Sequence, residues 1–284
     1  MDICHARTAI ESFLSSYLPT EHGVPESIRY AVLGGGKRWR PLVCLATAEA
    51  YGVPLDRAMP IATAHELAHA ATLLIDDLPS FDDELIRRGK QTTHARYGEA
   101  TAVLGVPLLM DMALELIVNT TSGDLQTNIL RERIATTKKL VAGQYHDVMQ
   151  IGLHTLDQVL YGMHQGKTGA LFGCATASGA LLGGASDPAL KFIRAYATYA
   201  GIAYQVADDI IDVTARAEDI GKSVGKDRGK VTSITFGGID GARSIKRELD
   251  ARADRFIEQV PHDMSALRIV IADMRKEQYK LVGC

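Results

Sequence analysis

The sequence has few cysteines, little net charge and no long apolar run, and each of these shortages excludes a class of protein. The four cysteines are far apart and form no CxxC or CxH pair. Neither a zinc site nor a disulfide framework is therefore expected, and a reducing cytoplasm is the simplest compartment. Basic and acidic residues nearly balance, at a formal net charge of −3. That balance argues against a nucleic-acid partner held by long-range attraction.

Hydrophobicity gives no sign of a membrane segment either. No run of about 18 apolar residues is present, so no transmembrane segment is predicted. The first residues lack a basic segment followed by an apolar core, so no signal peptide is predicted. The longest apolar segment, residues 171–185, is rich in glycine and alanine. It predicts a closely packed internal helix.

The dominant pattern in the sequence is helical periodicity. Apolar residues at helical spacing predict helices over 6–18, 28–33, 41–50, 55–75 with breaks, 98–118, 124–151, 155–183, 187–214, 241–259 and 264–281. Strand patterns are almost missing, and residues 231–236 form the one weak candidate. The chain shows no low-complexity linker and no fixed repeat. It is therefore predicted to be a single all-α domain, residues 1–284, with ten or more helices.

One acidic stretch is prominent, because five carboxylates lie within residues 76–84, directly after an apolar helical pattern. Hard divalent cations take oxygen ligands, and magnesium usually shares them with substrate phosphates. Pro79 makes the chain leave helical geometry, so Asp76 and Asp82 could converge on the same ions. The alternative interpretation is an ordinary charged boundary between a helix and a loop.

The end of the acidic stretch predicts a phosphate contact. Arg87 and Arg88 follow at once, and guanidinium groups pair with phosphates through two parallel hydrogen bonds. Asp83 and Glu84 are not needed as ligands and are expected to be solvated.

A histidine on the preceding helix shares a face with the acidic stretch. His69 lies seven residues before Asp76, and seven steps of a helix return to within about 20° of the same face. Both side chains are therefore predicted to face one cavity. His65, one turn earlier, is interpreted as structural.

A second acidic site is predicted on a later helix. Gln205, Asp208 and Asp212 share a helical face, and the two aspartates lie one turn apart. Such a carboxylate pair destabilises an apolar helix unless a positive charge lies between the two groups. The pair is explained if these carboxylates form a second acidic wall that faces the same metal ions.

Three clusters combine glycine with basic residues, as phosphate sites often do. They are Gly34–Pro41 with Lys37 and Arg40, Gly166–Phe172 with Lys167 and Thr168, and the loop 221–230 with Lys222. The first of them lacks the spacing and the preceding strand of a P-loop. Two acidic walls and three basic clusters in an all-helical frame predict a diphosphate ester that ionises in a dry pocket, where metal charge stabilises the leaving group.

These motifs resemble those of the trans-isoprenyl diphosphate synthases, or polyprenyl synthetases. Asp76–Asp82 is similar to the first aspartate-rich motif, DDxxxxD, and Asp208–Asp212 to the second, DDxxD. Residues 35–41, 167–168 and 221–222 match the remaining phosphate-binding motifs. The resemblance implies the isoprenoid synthase fold, a helical bundle around a central cavity, and a homodimer.

The resemblance also implies a role for each matching residue. Asp76 and Asp82 would bind two Mg²⁺ ions and Asp208 a third, with Asp212 in support. The allylic diphosphate would be held by Arg87, Lys167 and Lys222, and isopentenyl diphosphate by Lys37, Arg40, His69 and Arg88. Thr168 and Gln205 would face the developing allylic cation.

The chain departs from most family members at two places. Gly105-Val106-Pro107-Leu108-Leu109 stands where most members carry Gly-Asp-x-Leu-Leu, and Ile75 replaces a frequent histidine. Both departures are similar to bacterial geranylgeranyl diphosphate synthases of carotenoid pathways. The position that sets product length in the family corresponds to Ala71, followed by Thr72. An aromatic residue there would stop the chain at farnesyl length, so alanine favours geranylgeranyl diphosphate.

Other functions are compatible with parts of this pattern. Farnesyl diphosphate is the nearest alternative product. A terpene cyclase could use the same fold and DDxxD motif, but it would not need the isopentenyl site. A non-enzymatic regulatory subunit would be expected to have eroded aspartates, and both motifs are intact.

Overall fold

The computed structural model describes residues 1–215, 225 and 229–282, and in these ranges the protein is a bundle of eleven α-helices. The helices are α1 (Ile3–Tyr17), α2 (Val24–Leu33), α3 (Trp39–Ala50), α4 (Leu55–Asp76), α5 (Thr93–Tyr97), α6 (Glu99–Thr120), α7 (Gly123–Met149), α8 (Ala170–Leu182), α9 (Asp187–Thr214), α10 (Gly238–Ile257) and α11 (Ser265–Val282). A π-helical segment, Gln158–Gly169, leads directly into α8. The prediction of an all-α fold is confirmed.

The only strands in the described ranges form a small hairpin that the sequence analysis missed. Strands β1 (Ile86–Arg87) and β2 (Lys90–Gln91) pair antiparallel. Their two-residue loop, Arg88-Gly89, has φ angles of 56° and 73°, as a type I′ turn requires. The turn fixes the direction of both arginines that end the acidic stretch.

Several predicted boundaries differ from those observed. Helix α4 is continuous, with Pro60 inside it, whereas breaks were expected. Helix α2 begins at Val24, four residues before the predicted start at residue 28. The weak strand predicted over 231–236 is wrong, because Ser233–Phe236 is a 3₁₀ turn closed by a capping box.

Helix α8 lies at the centre of the bundle, as its glycine and alanine content predicted. All but one of its residues are buried. A Cβ at Gly179 would overlap the carbonyl oxygen of Cys44 on α3, and one at Gly173 would lie 2.5 Å from the hydroxyl oxygen of Thr198 on α9. Small residues therefore let α8 pack closely against both neighbours.

Helix α6 is the one helix in the described part of the chain whose length and composition would allow it to cross a membrane. This is weak evidence, because a core helix of a soluble protein passes the same test. Helix α6 packs along α4 and α2. Its outer face exposes Val103, Leu104 and Val118, and the outer face of α7 exposes Ile134, Val141, Tyr145 and Met149.

Candidate active site

One cavity of about 520 Å³ opens where α4, α7 and α9 end and the π-helical segment meets α8. It collects the predicted site residues Lys37, Arg40, His69, Thr72, Asp76, Asp82, Arg87, Arg88, Lys167, Thr168, Gln205, Asp208 and Asp212. Lys222 lies outside the described residues. Motifs separated by more than a hundred residues therefore face one space.

The first acidic wall is built by a loop that folds back on the end of α4. The Asp82 amide donates to the Asp76 carbonyl at 3.0 Å, and this contact brings the two side chains to the same side. Burial raises the pKa of Asp76, and Asp82 adds to the rise although Lys167 opposes it. The two carboxylates thus lie close enough to repel each other.

Two ammonium groups lie among these carboxylates. Lys167 Nζ is 2.6 Å from Asp147 Oδ2, and Lys230 Nζ is 3.1 Å from Asp82 Oδ1 and 3.8 Å from Asp147 Oδ2. Burial disfavours the charge on Lys167, but Asp76 and Asp147 raise its pKa. Cations therefore already occupy the space between the carboxylates.

Asp147 was not predicted from the sequence. It lies on α7, where Leu140, Gly143 and Asp147 share the buried face. A carboxylate at the end of an otherwise buried helical stripe was the available signal. Helix α7 carries many charged residues, so Asp147 can be singled out only by its place on the buried face.

The second acidic wall lies on the last turns of α9. Gln205, Asp208 and Asp212 all line the cavity, which confirms that they share a face. Thr168 Oγ1 donates to Gln205 Oε1 at 2.6 Å. The predicted pair beside the allylic cation is thus joined by a hydrogen bond across the cavity wall.

Asp209, between the two predicted ligands, is buried at the edge of the cavity, and its carboxylate has three hydrogen-bond partners. Its Oδ2 accepts hydrogen bonds from the Ser233 amide at 2.9 Å and the Ser233 hydroxyl at 2.6 Å, and His164 Nε2 lies 2.9 Å away. Burial opposes ionisation, but His164 and Ser233 lower the pKa of Asp209. We call these three residues the Asp209 brace. It ties α9 to the π-helical segment and the 3₁₀ turn.

Arg87 is held by the second aspartate of the first motif. Arg87 Nε donates to Asp77 Oδ1 at 2.6 Å. Burial raises the pKa of Asp77 to about 6, because it outweighs the opposite effect of Arg87. The ion pair holds the Arg87 side chain where it lines the cavity.

The expectation that Glu84 is solvated is wrong. Its side chain is 3% exposed and lines the cavity. The Glu84 amide donates to the Asp77 carbonyl at 3.1 Å, and this contact turns the residue inward. Asp83 is exposed, as expected, with a left-handed φ of 46°.

The glycine-rich turn before α3 makes room for Arg88. A Cβ at Gly36 would lie 2.6 Å from the guanidinium carbon of Arg88, and Arg88 Nη1 donates to the Gly35 carbonyl. The φ angles of Gly35 and Gly36 are 100° and 133°, which favour glycine. The first basic cluster and the end of the acidic stretch are therefore in contact.

The remaining predicted isopentenyl residues lie close by. Lys37 Nζ pairs with Glu277 Oε2 of α11 at 2.8 Å, and the Arg40 guanidinium stacks over the Phe172 ring at 4.7 Å. The pKa of His69 is well below its usual value because of burial and the charges of Arg40 and Arg88. His69 is therefore neutral near pH 7. The role of α11 in this wall was not apparent from the sequence.

The two predicted chain-length residues differ in position. Thr72 lines the cavity, and its hydroxyl donates to the His69 carbonyl at 2.8 Å. Ala71 is 1% exposed, lies in the main hydrophobic core and is not part of the cavity lining. On α4 the cavity is lined by Glu66, His69, Thr72, Leu73 and Asp76, and Ala71 lies behind this face.

The acidic walls suit magnesium that is shared with a ligand. Within the described ranges no three His, Cys, Asp or Glu side chains form a ready metal cluster. Magnesium is typically bound by one or two carboxylates together with water and substrate phosphates. The carboxylates of the first acidic wall already attract the ammonium groups of Lys167 and Lys230, and they offer the oxygen atoms that magnesium needs.

Comparison with known proteins gives consistent matches. Residues 21–273 match the Polyprenyl synthetase family. Geranylgeranyl pyrophosphate synthase 6, mitochondrial, of Arabidopsis thaliana is 36% identical over 263 residues, covering 88% of this chain and 78% of that protein. A dimethylallyltranstransferase of Fischerella ambigua (strain UTEX 1903) is 37% identical over 270 residues, covering 92% and 77%.

A solved structure is similar over almost the whole chain. The geranyltransferase from Helicobacter pylori, complexed with magnesium and isoprenyl diphosphate, has a TM-score of 0.86 at 26% identity, covering 98% of this chain and 96% of that chain. The sequence and structural matches agree with the motifs that meet in the cavity. The chain therefore belongs to the polyprenyl synthetase family.

Proposed function

We propose that the protein condenses isopentenyl diphosphate with an allylic diphosphate to make geranylgeranyl diphosphate, with release of diphosphate. The observation that carries this proposal is the single cavity in which two carboxylate walls face the basic residues of separate motifs. One diphosphate alone would not need so many cations on both sides. The arrangement supports two phosphorylated substrates that meet over an apolar bundle.

The basic residues divide between the two substrates. Arg87 and Lys167 lie beside the first acidic wall and would hold the allylic diphosphate, together with Lys222. Lys37, Arg40, His69 and Arg88 lie together at the glycine-rich turn and would hold isopentenyl diphosphate. A terpene cyclase would not need this second group.

Magnesium would be held by Asp76 and Asp82 on one wall and by Asp208, supported by Asp212, on the other. Bound there, the metal supplies positive charge that stabilises the departing diphosphate. We propose three ions per site, since two walls flank one diphosphate. Thr168 and Gln205 would face the allylic carbon with oxygen atoms that stabilise its developing charge.

Geranylgeranyl diphosphate is the product that the relatives favour. The Arabidopsis relative carries that product in its name, and Ala71 has no bulk that would stop a growing chain early. Farnesyl diphosphate is the second candidate, because the Helicobacter pylori structure is named a geranyltransferase.

A homodimer is the proposed assembly, and its supporting feature is the exposed apolar face of α6 and α7. Side chains such as Leu104 and Val141 are more than half exposed there. Covering them with a second copy would remove apolar surface from water. Sedimentation of the purified protein tests this, and a monomer at micromolar concentration would contradict it.

Localisation in the cytoplasm remains a proposal that rests on cysteine chemistry. Cys4, Cys44 and Cys174 are free thiols. The Arabidopsis relative is named as mitochondrial, so fractionation of the source cells is the appropriate test.

The decisive experiment incubates the purified chain with Mg²⁺, labelled isopentenyl diphosphate and each allylic primer in turn. We expect elongation of dimethylallyl, geranyl and farnesyl diphosphates to a geranylgeranyl product, and no elongation when the metal is chelated. No product from any primer would contradict the proposal.

A further inference from the structure

A buried arginine outside the cavity lining has no carboxylate partner in the described part of the chain. Arg133 is on α7, is 3% exposed, and its Nη1 has no hydrogen-bond partner among the residues that the structure describes. Its Nη2 donates to the sulfur of Met110 on α6, at 3.0 Å. A charged group in such surroundings is costly and calls for a functional explanation.

A second unpartnered polar side chain lies beside it. His65 on α4 is 1% exposed, and neither of its ring nitrogens has a partner within the described ranges. Burial, followed by the positive charges of Arg133 and Arg40, lowers the pKa of His65 to about 3. The imidazole is therefore neutral, and it lies within electrostatic reach of the Arg133 guanidinium.

The central helix α8 closes the same spot. Burial raises the pKa of the Cys174 thiol, although a hydrogen bond with Thr136 and the charge of Arg133 oppose the rise. Side chains from α4, α6, α7 and α8 thus surround one polar group in the interior of the bundle. Buried polar atoms without protein partners are usually satisfied by internal water.

The helices place this polar pair directly below the acidic walls. His65 lies eleven residues before Asp76 on the continuous helix α4, which corresponds to about 16 Å along the axis and a rotation of about 20°. Arg133 lies fourteen residues before Asp147 on α7, about 21 Å and about 40° away. His65 and Arg133 therefore lie on the helix faces that also carry Asp76 and Asp147. Their distances from these aspartates along the helix axes are similar.

We propose that Arg133 and His65 form a polar floor that limits the length of the product. The inference rests on the proposed function, because it requires a hydrocarbon that grows between α4 and α7 away from the acidic walls. From Thr72 toward the start of α4, this path would pass the small buried residues Ala71 and Ala68 before His65. An apolar chain end that reached the floor would strip water from the guanidinium and leave its charge unsolvated. Growth stops there for an electrostatic reason.

The test uses geranylgeranyl diphosphate as primer, with labelled isopentenyl diphosphate and magnesium. The wild-type protein is expected to leave this primer unextended. Arg133→Met removes the charge at similar volume, and we expect at least a tenfold rise in label incorporation together with products longer than geranylgeranyl. Arg133→Lys keeps the charge and is expected to behave as wild type.

Arg131→Met is the matched control, because Arg131 is two residues away on α7 and exposed. Its products are expected to equal those of the wild type. If Arg133→Met does not fold, as judged by circular dichroism, His65→Leu removes the other half of the floor and is read in the same way.

A folded Arg133→Met or His65→Leu protein that makes only wild-type products would overturn the proposal. Lengthening by Arg133→Lys equal to that by Arg133→Met would also overturn it, since charge would not be the limit. Failure of the wild-type protein to extend any shorter primer would contradict the proposed function instead. The two failures are therefore distinguishable.

Discussion

Asp147 Oδ2 lies 2.6 Å from Lys167 Nζ, and the pair joins α7 to the end of the π-helical segment. The contact holds Lys167 beside the first acidic wall, where the charge of Asp82 also attracts it. The carboxylate of Asp147 therefore positions the lysine that we propose to bind the allylic diphosphate.

Asp147→Asn should weaken the use of the allylic substrate. Losing a charge-assisted hydrogen bond costs about 1.5–3 kcal/mol, which corresponds to a fall in kcat/KM of roughly 10- to 100-fold. Steady-state kinetics with varied allylic primer measure this. Asp124→Asn, an exposed change on the same helix, should leave kinetics unchanged, and an equal loss in both variants would contradict the role of Asp147.

Asp76→Ala and Asp208→Ala should abolish turnover without unfolding the protein. Each removes a proposed oxygen donor for the metal, so we expect losses of about 10³-fold or more in kcat. Product formation at saturating Mg²⁺ and the far-ultraviolet circular dichroism spectrum are the measurements. Asp83→Ala in the same loop alters only an exposed residue and should stay within about twofold of wild type.

The Asp209 brace should contribute to stability more than to substrate contacts. Asp209→Ala leaves His164 and Ser233 buried without their acceptor, and we expect a loss of about 3 kcal/mol in the free energy of unfolding. Ser233→Ala should cost about 1 kcal/mol. Urea denaturation followed by circular dichroism measures both, and an unchanged midpoint for Asp209→Ala would show that the brace is dispensable.

The same aspartate predicts an acid-dependent loss of stability. The folded-state pKa of Asp209 is lowered, so near pH 4 and below the unfolded chain binds more protons than the folded one. The contribution of Asp209 is complete above its unfolded pKa and is lost as the pH falls through the folded value. The free energy of unfolding of Asp209→Asn should therefore fall less steeply with acid than that of wild type.

Gly36→Ala should impair isopentenyl diphosphate binding selectively. The new methyl group would collide with the Arg88 guanidinium, and displacing this cation should raise the KM for isopentenyl diphosphate roughly tenfold. Gly35→Ala is the matched control, because it carries similar backbone strain but meets no atom within 4 Å. A KM that rises equally in both variants would mean that strain, and not Arg88, is responsible.

Ala71→Tyr should shorten the product to farnesyl diphosphate. The residue is buried in the core, so the ring would fill the path below Thr72 and overpack α4 at a cost of about 1–3 kcal/mol. Chromatography of the dephosphorylated products gives the length, and thermal melting gives the cost. A folded variant that still makes the wild-type product would place the limit elsewhere.

The helices and both acidic walls were predictable because they depend on local periodicity. Helix α9 spans Asp187–Thr214 as predicted, since Pro188 suits its first turn and apolar spacing continues to Ile211. The shared face of Asp208 and Asp212 follows from the same spacing. Likewise, glycine and alanine in α8 predicted a central helix because small side chains permit close contacts.

The missed features all depend on contacts between distant parts of the chain. Asp147 and Glu277 are single acidic residues in polar helices, and only tertiary packing shows that each pairs with a lysine of the site. Burial of Glu84 follows from one backbone hydrogen bond to Asp77. The 3₁₀ turn at Ser233 replaced a predicted strand, because its side chain and amide are both engaged by Asp209.

The contacts of α11 make the order of synthesis relevant to activity. Glu277 reaches back to Lys37, and Gln278 Nε2 donates to the Tyr204 carbonyl at 3.0 Å. The first basic cluster is synthesised long before α11, the helix that completes its wall. A nascent chain can therefore assemble the acidic walls before it can complete the proposed isopentenyl diphosphate site, and removal of α11 should affect that substrate first.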